Sequence, residues 1–571
     1  MRVRLFGLIC GTLLAAACSS QPAVEPATLV LRGGTIVTVD DARPEAQAMA
    51  IRGDRIVALG TNEEIAAYVG PATEVIELEG RMAMPGFIEG HGHFTGLGQS
   101  MMNLDLMDVE SWDEIVQMVG EAAKTAKPGD WITGRGWHQE KWASVPDPNV
   151  EGFPIHTALS AASPDNPVLL THASGHASYV NAKAMEVSGI TARTPNPDGG
   201  TILKDAAGRP VGVLIETASG LASRTMAAWR AQKSDEERAA DARRAIDLAV
   251  ETSLAHGVTS FQDAGSNFET VALFKEAVNE GRMGIRLWVM VRDSNENLRA
   301  QMPAARVVGM GDHHLTVAAI KKTIDGALGS RGAWLLEPYS DLPTSTGLNT
   351  LPVSEVEEVA RIAIENDVQL GVHAIGDRAN REVLDIYEAA FKAHPDRTDL
   401  RWRIEHAQHL HPDDIPRFGQ LGVIASMQGV HCTSDAPYVP ARLGDQRSEE
   451  GAYVWQKLMA TGAVISNGTD TPVERISPIA SYYATVSRKL PDGSVFYPDQ
   501  RMSRLEALRS YTLNAAYAAK EEALKGSLAP GKLADVVVLS QNLMTVAEDE
   551  IPNTTVLWTI VGGQVKYRAG S

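Results

Sequence analysis

The sequence predicts an α/β protein: a (β/α)8 TIM barrel with a large insertion after its first strand, joined to a small β-sandwich built from N- and C-terminal segments. Three observations predict it. Eight short apolar runs recur along the chain, most of them separated by segments of helical periodicity. β-rich pieces stand at both ends, over about 27–84 and 522–571. The residues best suited to chemistry cluster where the apolar runs finish, the active face of a parallel barrel.

The chain opens with "MRVRLFGLICGTLLAAACSS", in which Arg2 and Arg4 precede an uncharged run from Leu5 to Ala17. That layout reads as a signal peptide over 1–17, too short for a comfortable membrane span. The small residues before Cys18 resemble a bacterial lipoprotein signal, with Cys18 lipidated as the mature N-terminus. Ala15 stands where leucine is usual, which keeps ordinary cleavage after Ala17 open. The expectation is an exported protein, periplasmic or lipid-anchored to a bacterial membrane. Of three cysteines, Cys10 belongs to the signal and Cys432 has no evident partner, so a disulfide framework is excluded.

Residues 27–84 supply short β pieces, "TLVLRGGTIVTVD", "AMAIRGDRIVALG" and "TEVIELEGRMAMPG", punctuated by Gly and Asp turns. "GSLAPGKLADVVVLS" and "TVLWTIVGGQVKYRAG" repeat the pattern at the far end, so one sheet domain is expected to draw on both termini. The barrel takes 85–521. Its eight strands are read in "MAMPGFIEG", "GVTSFQDAG", "IRLWVMVRD", "LTVAAIKKTIDG", "VQLGVHAIGD", "RWRIEHAQ", "GVIASMQGVH" and "AVISNGTD". The stretch from about 95 to 254 is far longer than one crossover needs and is assigned to an inserted lid or subdomain.

Two histidines one residue apart, His91 and His93, follow the first run. Side chains at i and i+2 on a strand point the same way and can present two imidazoles to one ion. On its own, a His-X-His also fits a polar strand end. The other strand ends add Lys321 and Asp325 after the fourth run, His373 after the fifth, His406 after the sixth and Asp470 after the eighth.

At these residues the sequence resembles the amidohydrolase superfamily of metal-dependent hydrolases, in its N-substituted formamide deformylase-like branch. The resemblance runs from "GGTIVTVD" to "GSLAPGKLADVVVLS" and is most specific at "MPGFIEGHGH", "KKTIDGALGSR", "HAIGDRAN", "RIEHAQ" and "NGTDTPV". It implies one metal on His91, His93 and Asp470, a second on His373 and His406, and a carboxylated Lys321 bridging them. Zn2+ is the implied ion, one or two per site, with other divalent metals open. Lys321 and Lys322 are adjacent, and the family spacing of Lys, three residues, then "DG" selects Lys321. An ammonium beside two cations is repelled, whereas a neutral amine can take up carbon dioxide to form an anionic carbamate.

The implied reaction is hydrolysis of a carbon–nitrogen bond other than a peptide bond, in an amide or N-substituted formamide, with Asp470 as the catalytic proton carrier. His176 in "THASGHASYVNAKAM", His138 in "GRGWHQEKW" and His431 at the end of the seventh run are candidate substrate contacts; ordinary loop or capping roles fit them too. Lactone, ester or cyclic amide hydrolysis at the same site stays open, as does a binding lipoprotein that has lost the chemistry. The expected substrate is a small amide-like molecule, and a homodimer is left open. A formal charge of −19 opposes a phosphate backbone, which excludes nucleic acid as a partner.

Overall fold

Parallel strands buried on both faces need side chains that are apolar in both directions, and Arg286–Val291, RLWVMV, is buried at every position. The computed structural model describes residues 24–139, 142–173, 175 and 177–570. The signal, Cys18 and His176 lie outside them. Eight parallel strands in chain order form the central sheet: β1 (Phe87–Gly92), β2 (Val258–Ser266), β3 (Arg286–Val291), β4 (Leu315–Thr323), β5 (Gln369–Ala374), β6 (Arg403–His406), β7 (Ile424–Gln428) and β8 (Ile465–Gly468). These are the eight runs read in the sequence. The first run divides at Gly86: Met82–Pro85 pairs in the terminal sheet, and only Phe87–Gly92 enters the barrel.

β1 and β8 meet to close the ring. Asp470 N–H donates to His91 O at 2.8 Å, and His93 N–H to Thr471 O at 2.7 Å. The approach is close enough that a Cβ on Gly468 would stand 2.4 Å from His91 N. Helices cover the outside, as Val353–Glu365 does by turning Val356, Val359, Ala360 and Ala363 inward at helical spacing. No helix among the described residues is long and apolar enough to cross a membrane.

The insertion between β1 and β2 builds its own six-stranded sheet from strands within Leu104–Glu216, around Trp112, Trp137, Trp142 and Tyr179. Arg475 ties it to the rim after β8 through Asp105, at 3.0 Å, and Asp108. The terminal sheet draws on both ends of the chain, with Val536–Leu539 antiparallel to Met82–Pro85. Its core holds Leu29, Leu31, Met49, Ile51, Val536, Val538 and Ile560.

A bidentate pair joins this sheet to the barrel. Arg286 Nε and Nη2 reach Asp535 Oδ2 and Oδ1 at 2.7 and 3.0 Å, with both side chains buried. Removing one partner strands the other charge out of water, so Arg286→Ala is expected to cost about 3–5 kcal/mol. The midpoint of denaturant unfolding tests this, and a wild-type midpoint would show that the pair does not couple the two parts. Replacing both partners by apolar residues should restore much of the loss.

Candidate metal centre

The C-terminal ends of the strands bring together the histidines and aspartate that the sequence scatters over almost 400 positions. His91, His93 and Asp470 each offer a donor atom within 4.8 Å of the others, as do His406, His431 and Asp470. Asp470 is common to both groups. Its Oδ1 lies 3.2 Å from His93 Nε2 and 3.5 Å from His91 Nε2, and Oδ2 lies 3.9 Å from His431 Nε2. Asp470 Oδ1, His91 Nε2 and His431 Nε2 are all buried without a hydrogen-bond partner. Orphaned polar atoms are costly in a folded interior unless something occupies the space between them.

The partners of each ring settle which nitrogen carries the proton. A carboxylate can only accept, so His91 Nδ1 donates to Glu405 Oε2, 2.5 Å away, and Nε2 keeps its lone pair. Arg403 holds Glu405 in place, with Nε to Oε1 at 2.7 Å and Nη2 to Oε2 at 2.9 Å. His406 Nδ1 donates to Gln428 Oε1 at 2.8 Å, again freeing Nε2 as a ligand. His431 is the reverse: Gln408 Nε2 donates to its Nδ1 at 3.0 Å, so its Nε2 carries the hydrogen. His91 and His406 therefore each leave Nε2 with a free lone pair that could bind a metal, while His431 carries a hydrogen on Nε2. Burial lowers His91 to about 4, against the pull of Glu405, and drives His373 and His406 well below the usual imidazole range. The neutral ring is the form that binds metal.

Backbone strain helps to gather these side chains. Consecutive strand residues point to opposite faces, yet both Glu405 and His406 reach His91, the two rings standing 4.6 Å apart. The chain manages this by leaving the extended region at His406 and Ala407, with φ of +77° and +45°. Asp470 is also left-handed, at φ +57°. Such conformations cost free energy in non-glycine residues and collect at functional sites.

Lys321 and His373 lie beside the two compact groups. The His373 ring is 4.4 Å from that of His406, and its Nε2 lies 3.5 Å from Asp325 Oδ1. Asp325 is fixed by the backbone N–H groups of Trp334, Ile375 and Gly376. Lys321 is buried, and its charge acts on His91, His373 and His406; Lys322 instead donates to Asp293 O at 2.7 Å. His138 packs on His172 within the insertion, with ring centroids 4.5 Å apart.

Several supporting residues were not assigned roles from the sequence: Glu405, Arg403, Gln428, Gln408, Glu89 and Asp263. Glu89 accepts from Thr469 N at 2.6 Å and Oγ1 at 2.9 Å, binding β1 to β8 below the ligands. Asp263 Oδ1 accepts from Phe94 N at 2.9 Å and so holds the turn after His93. "RIEH" carried the one available signal, since Arg403 and Glu405 at i and i+2 face the same side of a strand.

Protein LONG AFTER FAR-RED 3 of Arabidopsis thaliana is 34% identical over 561 residues, spanning 96% of this chain and 93% of that protein. The N-substituted formamide deformylase of Arthrobacter pascens is 27% identical over 554 residues, spanning 95% of this chain and 99% of the deformylase. Among solved structures, an uncharacterized metal-dependent hydrolase from Pyrococcus horikoshii matches with a TM-score of 0.73 at 27% identity, over 91% of this chain and 99% of that one. The sequence profile of the amidohydrolase family matches residues 74–567, the span that builds the barrel, the insertion and part of the terminal sheet. With that coverage, the chain belongs to the amidohydrolase family.

Proposed function

We propose that this chain is a metal-dependent hydrolase of a carbon–nitrogen bond other than a peptide bond, in a small amide or N-substituted formamide. His91, His93, Asp470, His373 and His406 would hold one or two divalent ions, with zinc the first candidate, and a carboxylated Lys321 would complete the ligand set. The observation that carries this reading is the convergence of buried, unpartnered His91 Nε2 and Asp470 Oδ1, the first with its lone pair set by Glu405. A ligand set of imidazole and carboxylate suits zinc. The name of the Arthrobacter relative supports the formamide end of the substrate range.

When bound, such an ion acidifies water and polarises a carbonyl group. The chain's own residues do the rest. His431, with its Nε2 hydrogen aimed into the site, donates to the substrate oxygen. Asp470 takes the proton from the attacking water and delivers it to the leaving nitrogen as the carbon–nitrogen bond breaks. Glu405 and Gln428 keep His91 and His406 in the tautomer that leaves Nε2 free.

The test is turnover by the zinc-loaded chain, before and after chelation, on N-substituted formamides, acyl amides, cyclic imides and lactones. Zinc-dependent cleavage of the open-chain amides is expected. Activity confined to lactones or cyclic imides would replace the reaction, and turnover unaffected by complete metal removal would remove the metal from it.

We also propose export, on the strength of Arg2, Arg4 and the apolar run that precedes Cys18. Cys18→Ala should release the protein from the membrane fraction into the soluble one. Membrane association that persists in this variant would rule out lipidation at Cys18.

A further inference from the structure

Arg292 follows β3 directly, on the same rim as the ligand cluster. Its stem and that of Lys321 flank the same point above Gly265: a Cβ placed there would stand 3.0 Å from Arg292 Cβ and Cδ and 3.5 Å from Lys321 Cγ. Gly265, at φ +134°, is the bare floor over which the two side chains converge. Buried Arg286 and Arg403 are matched with the carboxylates of Asp535 and Glu405, and buried Arg488 donates to the backbone oxygens of Phe496 and Tyr453. Arg292 has no such match. Among the described residues its guanidinium has no hydrogen-bond, ion-pair or ring partner, and neighbouring Asp293 turns its carboxylate to Ser294 N and Asn297 Nδ2, at 2.8 and 2.7 Å. The side chain is open to solvent, yet desolvation still lowers its pKa.

A free guanidinium presents a planar fork of donors that matches a carboxylate bidentately. In a chain of net charge −19, a cation left unpaired beside the ligand cluster is suited to an anion that arrives with the substrate. We propose that Arg292 receives a carboxylate carried by the substrate, so that the amide cleaved is one whose substituent ends in an acid group. This rests on the amide-hydrolysis reading above and narrows it.

Two probes differing in one group test the proposal: N-formylphenylalanine, and N-formyl-2-phenylethylamine, which lacks the carboxylate. The zinc-loaded chain is expected to favour the acid by about 10-fold in kcat/KM, the low end of what a close charge pair contributes. Arg292→Met should bring that ratio towards one, chiefly through KM for the acid, and Arg292→Lys should keep part of it. A wild-type ratio near one would overturn the proposal. So would an equal fall for both probes with loss of bound metal, which would assign Arg292 to the support of Lys321. If neither probe is cleaved, calorimetric binding separates the two readings. Tighter binding of the acid that Arg292→Met abolishes would keep the anion site and discard the hydrolytic reading, whereas equal binding of both probes would discard the anion site.

Discussion

Lys321→Ala is expected to lose bound metal and turnover together, while Lys322→Ala keeps both. The two side chains differ in what surrounds them. Lys322 ends at Asp293 O, 2.7 Å from its Nζ, outside the ligand cluster. Lys321 pairs in register with Gly371 of β5, a residue with no side chain to block its path, and its charge acts on three of the cluster's histidines. Burial lowers its amine to about 8, with Arg292 and Arg403 adding to the fall and Glu405 and Asp470 opposing it. A useful fraction is then neutral at physiological pH and able to react with carbon dioxide, which an ordinary surface lysine does much less readily. Loss of one orienting partner of a metal ligand costs about 10–100-fold in affinity. Loss of a bridging ligand should cost roughly 100-fold or more in metal retention, with partial rescue by small carboxylic acids that fill the gap. Metal content per chain, with and without added acid, is the measurement. If Lys322→Ala is the variant that loses its metal and Lys321→Ala retains it, the register of β4 is off by one.

The barrel was legible because strands buried on both faces leave unbroken apolar runs, and all eight stand where those runs do. "MAMPGFIEG" misled only in its continuity. Nothing in its composition signals that Met82–Pro85 pairs with Val536–Leu539, a contact between positions more than 400 residues apart. Ligand candidates were legible for a local reason, since each stands at the end of a recognisable run. Their supports were not, because a support is defined by a neighbour on another strand. Glu405 serves His91 of β1, and Gln428 of β7 serves His406 of β6. His431 shows the same limit from the other side: its place at the rim followed from the sequence, but its role as a donor follows from Gln408, two residues after β6 ends at His406.

Asp470→Asn is expected to fold, hold most of its metal and lose turnover by about two to four orders of magnitude, the usual worth of a positioned general base. Asparagine suits the backbone, because Asn tolerates the left-handed region that Asp470 occupies at φ +57°. It also keeps the two main-chain bonds of the turn, Asp470 N to His91 O and Val473 N to Asp470 O, both 2.8 Å. It loses the ability to accept a proton. Burial raises the pKa of Asp470, but the hydrogen bond from His93, with the rings of His91 and His406 close by, outweighs it and holds the carboxyl well below its usual range, ionised and ready to accept. The other acids at the rim are already engaged. Glu405 receives Arg403 and His91, Asp325 receives three backbone N–H groups, and Asp263 receives Phe94 N and Ser266 Oγ. The histidines are no better placed, since His91 and His406 commit Nδ1–H to their acceptors and His431 already accepts at Nδ1 from Gln408. Asp470 Oδ1, buried and unpartnered, is left with lone pairs facing the cluster. The measurement is kcat of the purified Asp470→Asn protein, alongside its metal content and circular dichroism. Near-normal turnover in a folded, metal-loaded variant would remove Asp470 from the proton transfer and require that one of the histidines change its tautomer to take its place.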